Sequence, residues 1–266
     1  MRQRKSKLIS LICALLLLIL SLCVRYCSPK EAELAADIIL AVLEVVEEYE
    51  ELTEGTEAPE EPQAPQKAKK DDVRIPVFSG EPYVAINGNI PFFREEEYTT
   101  ESYEFFSELD DLGRCGMVMA CIGQDLMPTE PRGDIGYIKP TGWHSVNYSC
   151  VEGGSLYNRC HLLGFQLTGE NANRQNLITG TRFMNVEGML PFENMVADFV
   201  QETNEHVLYR VTPIYESEED LVAIGVVMEG WSVEDKGESI CFCVFVYNAQ
   251  PGIEIDYATG ESRLKK

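Results

Sequence analysis

The tract from Thr53 to Asp72 does most to limit what this chain can fold into. It is rich in Glu, Pro, Ala and Lys and contains almost no large apolar residue. Such a segment cannot bury enough apolar surface to offset the entropy lost on ordering, so we predict a disordered, flexible linker over residues 55–72. We place the folded domain after it, over residues 73–266.

The N-terminus is typical of a targeting segment. Basic Arg2, Arg4, Lys5 and Lys7 precede an apolar run from Leu8 to Val24, and Arg25 follows it. No small-x-small cleavage site follows, which favours an uncleaved signal-anchor, with a cleaved secretory signal as the alternative. We therefore predict that residues 1–27 are a signal peptide or signal-anchor helix that contacts the membrane. The rest of the chain would then be extracytoplasmic, either membrane-anchored or secreted.

An acidic helix is predicted over residues 28–54, between the apolar run and the linker. Its apolar residues recur at steps of three and four, the period of an amphipathic helix: Leu34, Ile38, Ala41, Val45, Tyr49 and Leu52. Such a stripe could pair with a second copy of itself and form a homodimer. A solvated spacer helix explains the same pattern equally well.

The pattern of apolar and polar residues from residue 73 onward indicates an α+β domain. Segments rich in Val, Ile, Phe and Tyr predict strands at Tyr83–Ile86, Gly116–Ile122, His206–Tyr215, Leu221–Glu229 and Ser239–Tyr247. An i, i+3, i+4, i+7, i+8 pattern predicts an amphipathic helix that ends near Thr203–Asn204, with apolar positions Phe192, Met195, Val196, Phe199 and Val200. The Pro- and Gly-rich stretch from Asp125 to Trp143 predicts a loop.

Six cysteines fall outside the apolar segment and its edge: Cys115, Cys121, Cys150, Cys160, Cys241 and Cys243. An even number in an exported protein permits disulfides, but the pairing cannot be read from the sequence. A zinc site is the alternative, although these spacings match no common zinc pattern.

The stretch Tyr157–Asn171 carries the candidate chemistry. It reads Y-N-R-C-H-L-L-G-F-Q-L-T-G-E-N and places Arg159 two residues before His161, one of three histidines in the chain. A polar segment, Asn171–Asn185, follows and is predicted as a loop that leads into the helix.

This order resembles the DNA/RNA non-specific endonuclease family, whose site is a ββα-metal (His-Me finger) motif. The family's Asp-Arg-Gly-His signature corresponds here to Asn158, Arg159, Cys160 and His161. The resemblance covers roughly Pro82–Asp256 and is specific between Tyr157 and Asp198. It implies a central, mostly antiparallel sheet that carries the ββα-metal motif. Asn158 and Cys160 depart from the signature, which leaves the orientation of the histidine ring open.

The resemblance also implies roles for individual residues. The family's metal-binding asparagine corresponds to Asn185, and its helix glutamate, eight residues later, to Glu193. His161 would be the general base, because a neutral imidazole can take a proton from water near neutral pH. Glu193 would hold a metal-bound water, with a solvent-facing helix acid as the alternative.

Substrate contacts and the metal complete the predicted site. Arg159 could bind a phosphate in a bidentate manner, and four further residues are candidate substrate contacts: Arg132, Asn176, Arg182 and Arg210. The resemblance implies Mg²⁺, with Mn²⁺ or Ca²⁺ as alternatives, because a hard divalent cation prefers oxygen ligands.

The charge balance limits how such a protein can bind nucleic acid. The chain has 22 Lys and Arg against 44 Asp and Glu, a net charge of −22. That balance argues against passive coating of nucleic acid by a broad basic face. It leaves open a nuclease that acts through a metal and a few arginines, five of which fall between Arg132 and Arg210.

The sequence therefore predicts a metal-dependent endonuclease that cuts DNA, and RNA as a second substrate, with little sequence specificity. Two alternatives stay open. The first is a catalytically inactive or non-enzymatic surface-anchored binding protein on the same fold, which the net charge and the Asn158 and Cys160 departures favour. The second is an enzyme that acts on a smaller phosphodiester.

Overall fold

The computed structural model describes residues 75–266, so the predicted anchor, acidic helix and linker lie outside the described residues. Within residues 75–266, no helix combines the length and apolar character needed to cross a membrane. The described strands are β1 (Tyr83–Ala85), β2 (Tyr103–Phe106), β3 (Val118–Ile122), β4 (Tyr157–His161), β5 (Leu177–Thr181), β6 (Val207–Ile214), β7 (Gly225–Ser232), β8 (Cys241–Tyr247), β9 (Ile253–Ile255) and β10 (Ser262–Leu264). The helices are α1 (Phe165–Thr168), a π-helical turn (Met184–Met189), α2 (Leu190–Thr203) and three 3₁₀ turns (Asn87–Asn89, Glu95–Glu97 and Arg174–Asn176).

A six-stranded sheet in the order β1-β8-β7-β6-β3-β2 forms the centre of the domain, and every pair in it is antiparallel. This architecture confirms the predicted α+β class with an antiparallel sheet. The five predicted strands correspond to β1, β3, β6, β7 and β8, with ends that differ by a few residues. Strand β2 and the hairpin β9–β10 were not predicted, because each is three or four residues long and carries charged side chains.

Helix α2 packs on one face of this sheet and closes the main core. Its side chains Phe192, Val196 and Val200 are buried with residues from β3, β6, β7 and β8. The helix ends at Thr203, and Asn204 caps it in a left-handed conformation, as the sequence pattern predicted. Met195 is the exception to the predicted apolar stripe, since its side chain is 45% exposed.

The other face of the sheet is covered by residues from the N-terminal part of the domain and contains an ion pair. Arg210 on β6 donates to both carboxylate oxygens of Glu229 on β7, at 2.7 and 2.8 Å, and its guanidinium lies over the Phe93 ring. Glu97 lies 3.5 Å from the same guanidinium. The prediction that Arg210 contacts substrate is therefore replaced by a structural role, because its side chain is buried and its charge is neutralised.

Strands β4 and β5 form a separate antiparallel pair, in which Arg159 lies opposite Thr179 and His161 opposite Leu177. This pair corrects the prediction that all of Asn171–Asn185 is a loop. The run Leu-Ile-Thr-Gly-Thr is a buried strand, and its polar and glycine positions hid its β character.

The buried Asn248, just after β8, ties this pair to the main sheet. Its side-chain oxygen accepts from the Thr181 amide, and its side-chain nitrogen donates to the carbonyls of Thr179 and Ala223. Thr181 Oγ1 donates to the Ala249 carbonyl, and Gln250 accepts from the Phe183 amide. Strand β5 and the start of the π-helical turn are therefore fixed against the end of β8.

The six cysteines of the described residues are all free. Cys115, Cys121, Cys160 and Cys243 are buried, so they behave as small apolar side chains of the core. Among residues 75–266, no group of three or more His, Cys, Asp or Glu side chains could together hold a metal ion.

Glu229→Ala should destabilise the domain by about 3–5 kcal/mol, because it leaves the Arg210 charge buried without its main partner. Replacing both partners, as Arg210→Met with Glu229→Ala, should cost less than the sum of the two single changes. Urea denaturation of the wild type, both single variants and the double variant measures this coupling. Additive costs would contradict the ion pair.

Candidate functional site

A cavity of about 730 Å³ brings most of the predicted site residues together. It lies where β4, α2 and the loops around residues 132–147 meet. Six of the eight predicted site residues line it: Arg132, Arg159, His161, Arg182, Asn185 and Glu193. Asn176 and Arg210 do not.

The His161 ring is held by one acceptor and one donor, which together define its tautomer. Its Nε2 lies 2.8 Å from the Asn171 carbonyl oxygen, and its Nδ1 lies 3.1 Å from Nη2 of Arg132. A carbonyl can only accept and a guanidinium can only donate, so Nε2 carries the hydrogen and Nδ1 has the free lone pair. This arrangement settles the ring orientation that the sequence left open.

The surroundings of His161 keep its imidazole neutral. Burial lowers the pKa of His161 to about 4, and the neighbouring Arg132 charge lowers it further. The hydrogen bond to Asn171 opposes this shift but does not cancel it. The ring is therefore neutral at physiological pH, which is the protonation state that a base requires.

Asn185 lines the cavity from the π-helical turn. Its side chain has no hydrogen-bond partner among residues 75–266, while its backbone carbonyl accepts from the Leu190 amide five residues later. Such i→i+5 turns occur frequently at functional sites. The π turn leads directly into α2, and Asn185 and Glu193 line one cavity. Pro191 occupies the first turn of α2, where its missing N–H costs nothing.

Glu193 extends its carboxylate over Gly164, which directly follows the His161-Leu-Leu stretch. A Cβ at position 164 would lie 2.8 Å from Oε2 and 3.1 Å from Oε1 of Glu193. Burial raises the pKa of Glu193 to about 7, and Arg132 opposes this shift. The carboxylate makes no hydrogen bond or ion pair within residues 75–266, so its oxygens are available to a ligand in the cavity.

The Arg159 side chain binds neighbouring parts of the protein. It donates to the carbonyls of Gly136 and Ile138, and its guanidinium lies 4.1 Å above the Trp143 ring. These contacts anchor the loop around residues 136–138 to strand β4. The structure thus adds a loop-holding role to the phosphate contact predicted for Arg159.

The two departures from the signature are accommodated locally. Cys160 is buried where Gly180 leaves room, since a Cβ on residue 180 would lie within 3.0 Å of the Cys160 side chain. Asn158 lines the cavity, and its Nδ2 is buried without an acceptor in the described part of the chain. Neither residue contacts His161 through a hydrogen bond.

Asn176 is a structural residue in this site. Its side chain is fully buried, accepts from the Leu163 amide at 2.8 Å and donates to the Leu163 carbonyl at 2.9 Å. The prediction that Asn176 contacts substrate is corrected, because both polar atoms of its side chain are bonded to the backbone of Leu163, two residues after His161. Asn176 therefore fixes the backbone that follows His161.

The remaining predicted contacts and histidines are placed as follows. Arg182 lines the cavity with Nη2 3.8 Å from Glu152, and its Nε has no acceptor in the described chain. His144 also lines the cavity but is bound to the Thr259 carbonyl, whereas His206 pairs with Glu234 outside it.

Two contributors to the site were not predicted. Asn171 binds His161 through its backbone carbonyl, a group that every residue has, so the residue type gives no signal for this contact. Trp143 is the surface on which Arg159 rests, and its position at the end of a predicted loop was the available signal.

Comparison with known proteins places this arrangement among nucleases. A profile of the DNA/RNA non-specific endonuclease family matches residues 94–233, just over half of the chain. NucA from Streptococcus agalactiae is similar in its magnesium-bound crystal structure, with 27% identity and a TM-score of 0.61, over 68% of this chain and 86% of NucA. Its metal-free structure gives 25% identity and 0.63, over 74% and 92%. The zinc-bound Sda1 nuclease has the same fold, with 24% identity and 0.59, over 70% and 97%.

His161→Gln should remove a pH dependence from the stability of the domain. The unfolded chain binds a proton at His161 below about pH 6.5, but the folded domain does so only near pH 4. The wild type should therefore lose about 3 kcal/mol relative to the variant as pH falls from 6.5 to 4. Glu193 acts in the opposite direction but is present in both proteins.

Denaturant unfolding at half-unit pH steps, with EDTA present, measures this difference. Two parallel stability curves would contradict a buried, neutral His161.

Proposed function

Because the chain belongs to the DNA/RNA non-specific endonuclease family, we propose that it is a metal-dependent endonuclease that hydrolyses DNA, and RNA as a second substrate. The observation that supports this most is that His161, Asn185 and Glu193, far apart in the sequence, line a single open cavity. Each of them has the chemistry that phosphodiester hydrolysis requires.

Asn185 and Glu193 fit a hard divalent cation. Their carboxamide and carboxylate oxygens face the cavity without protein partners among residues 75–266, and oxygen is the donor that Mg²⁺ prefers. The magnesium-bound NucA structure also favours Mg²⁺, with Mn²⁺ or Ca²⁺ as alternatives. A cation bound here would supply positive charge against the phosphoryl oxygens and the leaving oxygen.

His161 would take the proton of the attacking water at Nδ1. The bond from Nε2 to the Asn171 carbonyl orients the ring and stabilises the positive charge that develops when Nδ1 is protonated. In the free protein Arg132 donates to that same Nδ1. Arg132 must therefore leave the lone pair before the base can act, and a phosphate oxygen in the cavity is a better acceptor for its charge.

Arginines concentrate positive charge in the cavity of an otherwise acidic protein. Arg132, Arg159 and Arg182 line it together with two acids, Asp134 and Glu193. With a divalent cation added, the cavity has a net positive charge where the phosphodiester would lie. Such a site reads the backbone rather than the bases, in keeping with low sequence specificity.

The cellular setting of the enzyme follows from the N-terminal sequence. A basic flank followed by an apolar run supports an extracytoplasmic enzyme, anchored through residues 1–27 or secreted. Pairing of the acidic helices at residues 28–54 would make the anchored form a dimer.

The competing function is a binding protein that uses the same fold without catalysis. The Asn158 and Cys160 departures favour it at the level of the sequence, but neither residue contacts the predicted base or metal ligand through a hydrogen bond. A cleavage assay separates the two functions directly.

Purified domain should nick and linearise plasmid DNA with Mg²⁺ and should lose this activity in EDTA. His161→Ala should lower kcat/KM by at least about 100-fold, because general acid–base catalysis typically contributes 10²–10⁴. Asn185→Ala should lose activity while its thermal melting stays close to that of the wild type, because its side chain makes no hydrogen bond within residues 75–266. Labelled single-stranded RNA in the same assay tests the second substrate.

His206→Ala is the matched control, since His206 lies outside the cavity, and it should keep full activity. Cleavage that persists in EDTA or in His161→Ala would remove the proposed mechanism. Robust binding of DNA without any cleavage would favour the competing function.

Gly164→Ala should reduce activity by displacing the Glu193 carboxyl. The added methyl group would lie 2.8 Å from the Glu193 carboxyl and must displace it, while the backbone of Gly164 suits alanine. We expect a 10-fold or greater fall in kcat, of the order assigned to misplaced catalytic groups. If Glu193 has no role in catalysis, neither Gly164→Ala nor Glu193→Gln will change kcat.

A further inference from the structure

We propose that Tyr137 is a stacking platform for an unpaired nucleobase beside the bond that is cut, which makes single-stranded nucleic acid the better substrate. The inference rests on the proposed nuclease function and specifies the substrate that its site prefers. It is carried by the exposure, the rigid support and the position of one aromatic side chain.

Tyr137 has an exposed ring that the fold does not use. Its side chain is 68% exposed, compared with 41% for Tyr83 and 37% for Tyr98. Tyr83 and Tyr98 pack edge-on against other rings, whereas the Tyr137 ring and hydroxyl have no partner among residues 75–266. Exposed aromatic rings of this kind are characteristic of recognition surfaces.

The backbone that carries this ring is held on both sides. Arg159 donates to the carbonyls of Gly136 and Ile138, the two residues that flank Tyr137. Asp134 accepts from the Gly136 amide, and the side chain of Ile138 is 3% exposed in the domain. The ring is therefore displayed from a fixed backbone, so little entropy is lost when it binds a ligand.

Tyr137 directly follows three residues of the cavity lining but does not itself line the cavity. The preceding residues Asp134, Ile135 and Gly136 line that cavity, and Arg159, which grips the loop, lies two residues before the base His161. A nucleotide whose phosphate enters the cavity would therefore bring a neighbouring base close to the ring.

The chemistry of the ring favours an unpaired base as its ligand. Every nucleobase offers a π-face, so stacking does not depend on sequence and agrees with a non-specific enzyme. In a duplex that face is already stacked on its neighbours, and freeing it costs energy. Stacking on an aromatic side chain is worth about 5- to 150-fold in affinity per base.

The test compares Tyr137→Ala, Tyr137→Leu and Tyr137→Phe on a single-stranded oligonucleotide and on a duplex of the same sequence, with Mg²⁺. Tyr137→Ala and Tyr137→Leu should lower kcat/KM on the single strand at least 5-fold and leave the duplex within about 2-fold. Tyr137→Phe should behave as the wild type, because it keeps the ring. The leucine variant separates stacking from simple apolar contact.

A series of single strands with one abasic nucleotide, moved one position at a time, locates the base. The wild type should cut slowly only at bonds beside the abasic position, and Tyr137→Ala should lose that sensitivity. Equal effects on single strand and duplex, no effect of Tyr137→Ala, or an unchanged abasic pattern in Tyr137→Ala would each overturn the proposal.

Binding in EDTA separates this inference from the nuclease function. Fluorescence anisotropy with the labelled single strand should show weaker binding by Tyr137→Ala than by the wild type or Tyr137→Phe. If the wild type does not cleave but this difference is seen, the stacking site stands and the nuclease proposal falls. If the wild type cleaves but all variants bind and cleave identically, the nuclease proposal stands and the stacking site falls.

Discussion

The side chain of Asn248 is the constraint on which the site depends. It is fully buried at the end of β8 and uses its oxygen and both hydrogens on three backbone groups, two of which belong to β5. Strand β4 is joined to the main sheet through β5, and β4 carries Arg159 and His161. An amide side chain is well suited to this junction, because it satisfies donors and acceptors together without a buried charge.

Desolvation then determines what His161 can do. A buried imidazole with a single carbonyl acceptor stays neutral, and its hydrogen is fixed on Nε2. The lone pair on Nδ1 therefore faces Arg132. Burial thus keeps His161 in the state that the proposed base requires, and in the proposed mechanism the Arg132 guanidinium occupies the Nδ1 lone pair until a phosphate oxygen takes its place as acceptor. The same burial acts oppositely on Glu193, because it raises the pKa of the carboxyl, and a bound cation would instead favour the ionised carboxylate.

The sequence predicted structure best where a regular pattern of residue types has a single structural meaning. The long apolar strands and α2 follow from alternation and helical periodicity, and the resemblance placed His161, Asn185 and Glu193 on the elements that line the cavity. Arg210 and Asn176 could not be read correctly, because a buried ion pair and a backbone-binding amide depend on partners distant in sequence. Strand β5 was not predicted, because the contact that holds this threonine- and glycine-containing run in an extended conformation comes from Asn248, 67 residues after Thr181.

Charge decides how a protein this acidic can take up a polyanion. A net charge of −22 repels nucleic acid at long range, but at physiological salt each charge is screened beyond about 8 Å. The lining of the cavity itself contains three arginines, Arg132, Arg159 and Arg182, against two acids, Asp134 and Glu193. In the proposed mechanism, attraction would therefore be confined to this cavity, where a phosphate would be cut. An enzyme of this kind cannot gain affinity from a broad basic face, so it must gain it from short-range contacts. A bound cation, a few guanidinium groups and a stacked base are the short-range contacts that we propose for this site.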